Sequence, residues 1–339
     1  MKPITSSNKP YEEKKNSLGE SGSNESDRLI PNYVVSASAF VCAGALIAIA
    51  LLGPAILGVI HYRTSQSIIW QTQAFDITNL IVIVPVLITG GILDLLKKDS
   101  SKYFLILTPI MLMYSGLEYG IAQEWGNPAY TGNSEAFSGL FLTLTIGGLI
   151  LLIGCLPRFT SADAPKFKLK GSRIYVGLMA IFLLMFAFMW SSQLAQVITT
   201  GNTSAGDYLA APTGWWMVKF IDLGVTIPLG FLALLLMLSK PKKAYPLVLL
   251  FFGFFITLGT AVNASAVIEV VNKDPAVTTG SGAGGLVVFP VLGVLAYAGL
   301  LYLIKDKLPR RNLSLSRKHN TNVAFPSKLK TVQTAERVD

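Results

Sequence analysis

Charge is scarce in this sequence: 14% of its 339 residues are Asp, Glu, Lys or Arg, whereas soluble domains carry about a quarter. That shortage argues against an ordinary water-soluble domain. Cysteine and histidine are scarcer still, at two each. Cys42 and Cys155 stand in apolar runs without C-x-x-C spacing, so no disulfide framework or thiol relay is signalled and both read as buried thiols. His61 and His319 are too few for a bis-His haem or a His-rich metal site within one chain, and no cofactor or metal is expected. Neither H-E-x-x-H, G-x-S-x-G nor a phosphate-cradling Gly-rich loop is present. No catalytic residue can therefore be named, and an enzyme is the less favoured class.

What the chain has instead is apolar length, with 52% hydrophobic residues gathered into long runs. Eight stretches approach or exceed the ~18 to 20 residues needed to cross a bilayer core, near 34–60, 77–96, 103–122, 137–157, 174–198, 216–238, 245–267 and 284–304. The expected fold is all-α, an integral membrane bundle of eight transmembrane helices. Gly53-Pro54 is the expected kink of the first span. Residues 1–32 are polar and mixed in charge, too poor in apolar surface to fold alone. They lack the basic start, short apolar core and cleavage site of a signal peptide, so span 1 is expected to stay in the mature protein.

Two stretches echo one another. Trp70 to Pro85 and Trp215 to Pro228 each open on tryptophan, carry a carboxylate and run apolar into a proline. A shift of 143 residues aligns Asn79 with Asp222 and Pro85 with Pro228, and a shift of 146 aligns Trp70 with Trp216 and Asp76 with Asp222. Such self-similarity points to a 4+4 parallel internal repeat. The expected organisation is a disordered cytoplasmic tail (1–32), a first four-helix half (33–157), a cytoplasmic hinge (158–173), a second half (174–304) and a basic cytoplasmic tail (305–339).

Lysine and arginine set the threading, because cytoplasmic loops collect them. Of the 28, all but Arg63, Lys219 and Lys273 fall on the side that holds both tails, the 2–3 and 6–7 turns and the hinge. Both termini are expected in the cytoplasm, with the protein in the cell membrane. Eight acids, Asp76, Glu118, Glu124, Glu135, Asp207, Asp222, Glu269 and Asp274, fall on the other side. The basic face suits anionic lipid headgroups, and nucleic acid is not an expected partner of a chain anchored this way.

On this threading Asp76, Asn79, Tyr114, Glu118, Tyr119, Lys219, Asp222 and Asn263 all lie toward the outer ends of spans 2, 3, 6 and 7. Ionisable groups inside spans are costly and usually face the bundle interior in pairs. Lys219 and Asp222 share a face, the Tyr114 phenol is placed to donate to Glu118 four residues on, and Lys219 is expected within reach of a carboxylate. Near helix starts, Asp76 and Asp222 also suit plain capping. Glu118, near a helix end where the dipole disfavours an anion, is harder to explain that way. The G-x-G-D signature of membrane aspartyl proteases is absent, and spans 7 and 8 hold no mid-span lysine of the retinal-protein kind.

Around Asp76, Asn79, Leu80 and Pro85, and again around Asp222, Leu223 and Pro228, the chain resembles a family of uncharacterised polytopic membrane proteins of prokaryotes. The likeness spans residues 70–270 and implies no particular activity. The third span differs from that group in placing Glu118 among its tyrosines. Two functions follow as expectations: a transporter or channel for a small cation or proton-coupled solute, or a non-transporting sensor or assembly partner that docks through its basic tail.

Overall fold

A computed structural model describes residues 29–166, 169–201, 203, 206–274, 285–305 and 307. Both tails and the loop before the last helix lie almost wholly outside this range, and with them the expectations of disorder and docking. Among the described residues the chain is helical throughout, without strands. The helices are α1 (Asn32–Leu52), α2 (Gln66–Leu95), α3 (Ser101–Ile121), α4 (Ser134–Arg158), α5 (Leu169–Thr200), α6 (Pro212–Ser239), α7 (Pro241–Val271) and α8 (Gly285–Ile304). The first seven are long and apolar enough to cross a membrane, which makes this a multi-pass membrane protein. Of α8, the apolar part Gly293–Ile304 is shorter.

Helices α1 to α4 form a closed group, with α1 against α2 and α4, and α3 against α2 and α4. Small residues permit this. A side chain at Gly147 would overlap Cys42 on α1, and one at Gly148 would come within 2.8 Å of the Pro109 carbonyl on α3. In the second half α6 packs on α5 and α7, and α7 on α8. Helix α7 also crosses onto α2 and α3, and α3 touches α6, so the four-helix groups meet mainly through α7. Its run Phe251, Phe252, Phe254 and Phe255 is buried on every side, as an all-round apolar helix must be. Helix α5 is peripheral and presents Ile174, Ile181 and Phe188 outward.

The first span is shorter than its apolar run. Instead of kinking at Gly53-Pro54, α1 ends there, because proline can neither donate the next helical bond nor tolerate the carbonyl four residues back. The following apolar residues fold over the helix end. Backbone N–H groups of Leu57, Val59 and Ile60 donate to carbonyls of Leu51 and Leu52, and Gly58 supplies the left-handed conformation (φ +60°) that the reversal needs.

At the basic end of the first half, charges that appear solvated in the sequence are buried. Asp94 of α2 accepts hydrogen bonds from Ser36 (2.9 Å) on α1, Ser101 (3.1 Å) on α3 and Arg158 at the end of α4. Beside it Lys102 pairs with Asp163 at 2.8 Å, and Tyr103 donates to the same carboxylate. Burial alone would raise the Asp163 carboxyl, but hydrogen bonds from Lys102, Tyr103 and the Thr160 amide outweigh it and hold it at about 2, below its ordinary 3.8. A depressed carboxylate stabilises the fold above its unfolded pKa and loses that contribution as the pH falls through the folded one. Melting in detergent should therefore fall off between pH 4 and pH 2 by about 1 kcal/mol after solvent screening, and the Asp163→Asn variant should show a flatter profile there.

Candidate functional site

The site begins with two irregularities in otherwise regular helices. In α2, residues Asn79–Ile83 wind as one π-turn, and in α6, Asp222–Thr226 do the same, 143 residues later. Each closes with a bond from the amide of Val84 or Ile227 back to the carbonyl of Asn79 or Asp222. A proline follows at once in both, Pro85 and Pro228. The local cause is the proline ring, which clashes with the carbonyl four residues back and donates no hydrogen bond, so the preceding turn widens. Counted from the π-turns, Asn79 corresponds to Asp222 and Asp76 to Lys219.

On the α2 side, Asp76 and Asn79 are both 1% exposed. Tyr119 of α3 donates to Asp76 Oδ1 at 2.8 Å, and Asn79 donates to Tyr119 and to Ser115, both at 3.3 Å. The second carboxylate oxygen, Oδ2, lies against Gly53, where a Cβ would come within 2.7 Å of it, and has no hydrogen-bond partner among the described residues. Tyr62, from the segment folded over α1, stacks on Tyr119 with ring centres 5.9 Å apart, and its hydroxyl is likewise unpartnered.

On the α6 side, Asp222 accepts from the Trp190 indole of α5 at 2.9 Å and lies near the Thr226 hydroxyl, while its Oδ1 has no close hydrogen-bond partner among the described residues. The Lys219 ammonium stands over the same Trp190 ring, 3.8 Å from its centre, and 4.4 Å from that of Trp215. One indole thus links the two charges, taking the cation on its face and giving its N–H to the anion. Lys219 also acts electrostatically on Asp222 directly.

Glu118 lies between the two sides. Its carboxylate is within Coulombic range of both Asp76 and Asp222, and its Oε2 is buried without a partner. It lines a cavity of about 70 Å³ with Tyr62, Thr64, Tyr119 and Met217, large enough for a few waters. Tyr62 and Thr64 also line a wider hollow of about 390 Å³ that extends to Tyr130 in the loop before α4. Those two residues are the shared wall between Glu118 and the loop surface.

The structure brings together Asp76, Asn79, Glu118, Tyr119, Lys219 and Asp222, keeps Tyr114 within Coulombic range of Glu118 and Asp222 without the expected hydrogen bond, and separates Asn263 from them. Asn263 bonds to its own helix, at the Gly259 carbonyl, and faces Gly293 of α8; matching depth on α7 put it on the wrong face. Tyr114 makes no hydrogen bond to Glu118 among the described residues, because its ring is held between Phe75 and Phe254. The sequence reading missed Trp190, Tyr62 and Ser115 as site members. Nothing in the sequence around Trp190 signals a carboxylate 32 residues away.

The loops are built to support this end. Glu124, after α3, accepts from the amide (2.8 Å) and hydroxyl (3.1 Å) of Thr213 in the first turn of α6, so a carboxylate of one half satisfies the orphan donors and dipole of a helix in the other. Gln123 accepts from Ser134 and from the Arg63 amide, and Arg63 pairs with Glu135 at 2.7 Å. Chemically, among the described residues the site gathers three carboxylates, Asp76, Glu118 and Asp222, and one ammonium, Lys219. Full ionisation of these four would leave an excess of negative charge in a poorly polarisable interior, which a bound cation or shared protons would balance. No group of three His, Cys, Asp or Glu among the described residues is arranged to hold a metal ion. Compared with family models, curated proteins and solved structures, the chain matches none.

Proposed function

We propose that this protein is an eight-span transporter or channel that moves protons, a small cation or a proton-coupled solute through the acidic site. The observation that carries the reading is Glu118, a carboxylate with a buried oxygen that has no hydrogen-bond partner among the described residues, on a small cavity and within Coulombic range of Asp76 and Asp222. Buried polar groups of purely structural role ordinarily satisfy their lone pairs. Among the described residues, only Tyr62 and Thr64 stand between that cavity and the wider hollow on the loop side. In this reading the lysine-rich end faces the cytoplasm, the site opens outward, and the halves are parallel duplicates. The paired π-turns and their prolines support the last point.

The test is flux in proteoliposomes carrying an internal pH dye, after an imposed proton or cation gradient. Wild-type protein should carry flux, and Glu118→Gln and Asp222→Asn should lower it at least ~10-fold, a loss of about 1.4 kcal/mol or more in barrier terms, while retaining their melting temperatures. Equal flux in wild type, both variants and empty vesicles would remove the proposal. The docking alternative is tested in the same system by deleting residues 308–339. A transporter keeps its flux without the tail, whereas a docking protein loses capture of its partner.

A further inference from the structure

A second cavity lies at the opposite, basic end, wholly within the second half and separate from the acidic site. It measures about 450 Å³ and is enclosed by the start of α5, the end of α6, the middle of α7 and the latter part of α8, a volume typical of sites for small organic ligands. Its depth is apolar, with Met237, Phe252, Leu295 and Leu303 among the walls, and among the described residues none that lines it is charged. Three hydroxyl-bearing residues, Ser172, Tyr175 and Tyr302, interrupt this surface. The Tyr175 hydroxyl is buried without a hydrogen-bond partner among the described residues, in the notch left by Gly299, where any Cβ would overlap it. A cation stands beside the cavity: Lys305 is exposed and held over the ring of Tyr302, a lining residue, at 4.4 Å. Arg173, next to Ser172 in sequence, is exposed as well.

From the Lys305 side inward the order is therefore cation, hydroxyl groups, then apolar wall. A phospholipid entering from the leaflet on the basic side presents the matching order of phosphate, ester and hydrocarbon. A free phosphate has no use for the apolar chamber, and a neutral lipid has no use for the cations. The outward face of α5, with Ile174, Ile181 and Phe188, offers apolar contact without either device. We infer that this cavity is a binding site for one anionic phospholipid, with an acyl chain inside, the phosphate on Arg173 and Lys305, and an ester oxygen accepting from Tyr175. The assignment does not rest on transport.

The test is native mass spectrometry of the full chain in mild detergent, titrated with phosphatidylglycerol, phosphatidylcholine or inorganic phosphate. One phosphatidylglycerol should be retained at least ten times more tightly than phosphatidylcholine, and phosphate should not compete. The double variant Arg173→Ala with Lys305→Ala should lose that preference, and Gly299→Leu should lose retention altogether. Leu295→Trp fills the chamber from another wall and serves as the second variant if Gly299→Leu does not fold. Equal retention of both lipids, competition by phosphate alone, or undiminished retention in the filled variant would each overturn the assignment.

Discussion

Asp94→Ala is expected to destabilise the protein by about 3–5 kcal/mol, the usual result of breaking a buried ion pair from one side. Asp94 is 3% exposed and receives Ser36, Ser101 and Arg158, so a single carboxylate ties four helices together at the basic end. The larger part of the loss comes from what is left behind, because the Arg158 side chain is only 10% exposed and would keep its charge without a counterion. Arg158→Met in the Asp94→Ala background should therefore recover part of the loss, and the pair should be markedly non-additive. Reversible unfolding in mixed micelles measures both. A cost below about 1 kcal/mol for Asp94→Ala would mean that water already compensates the pair and that it does not hold this end shut.

Gly253→Ala should cost about 3 kcal/mol, at the upper end of overpacking penalties, although it adds one methyl group. The added carbon would overlap the carbonyl, carbon and Cα of Leu107, and backbone cannot rotate away as a side chain can. Leu107 lies where α3 is interrupted between Leu105 and Pro109, so the clash falls on the contact between the halves. Gly259 supplies the control on the same helix. A Cβ there meets nothing within 4 Å, and Gly259→Ala should gain about 0.5–1 kcal/mol from helix propensity. Opposite signs for two Gly→Ala changes six residues apart on α7, read from the same unfolding curves, would establish that packing between the halves decides the outcome. Equal effects would discard that account.

The helices were legible because apolar length is a local property, and every long run reappears as a helix. Their ends were less so. Residues 55–60 continue the apolar character of α1, and only the geometry of Pro54 shows that they fold back over it. Asp76, Glu118 and Asp222 stood out for the same local reason, as charges placed where charge is expensive. Their surroundings did not, since which face of α7 carries Asn263, or which carboxylate meets Trp190, depends on helix rotations that depth alone does not fix. The basic end was misread most. Lys102 and Arg158 entered the sequence argument as loop charges that set orientation, yet each is buried against an acid, Asp163 and Asp94, that lies about 60 residues away in sequence.

A π-turn is one residue more than the α-helix it interrupts, and everything beyond it is turned by about 100°. Two such extra residues at one spacing from two prolines carry a record of order in time. On the proposed duplication, the insertion was present in the ancestral half-length chain before it was copied, and the two copies then diverged in what they hang on it. One kept an acid and an amide, Asp76 and Asn79, and the other a base and an acid, Lys219 and Asp222. An ancestral homodimer would have set two identical residue pairs against each other across its axis, so the present asymmetry, acid and amide on one side and base and acid on the other, was available only after the two halves became one chain.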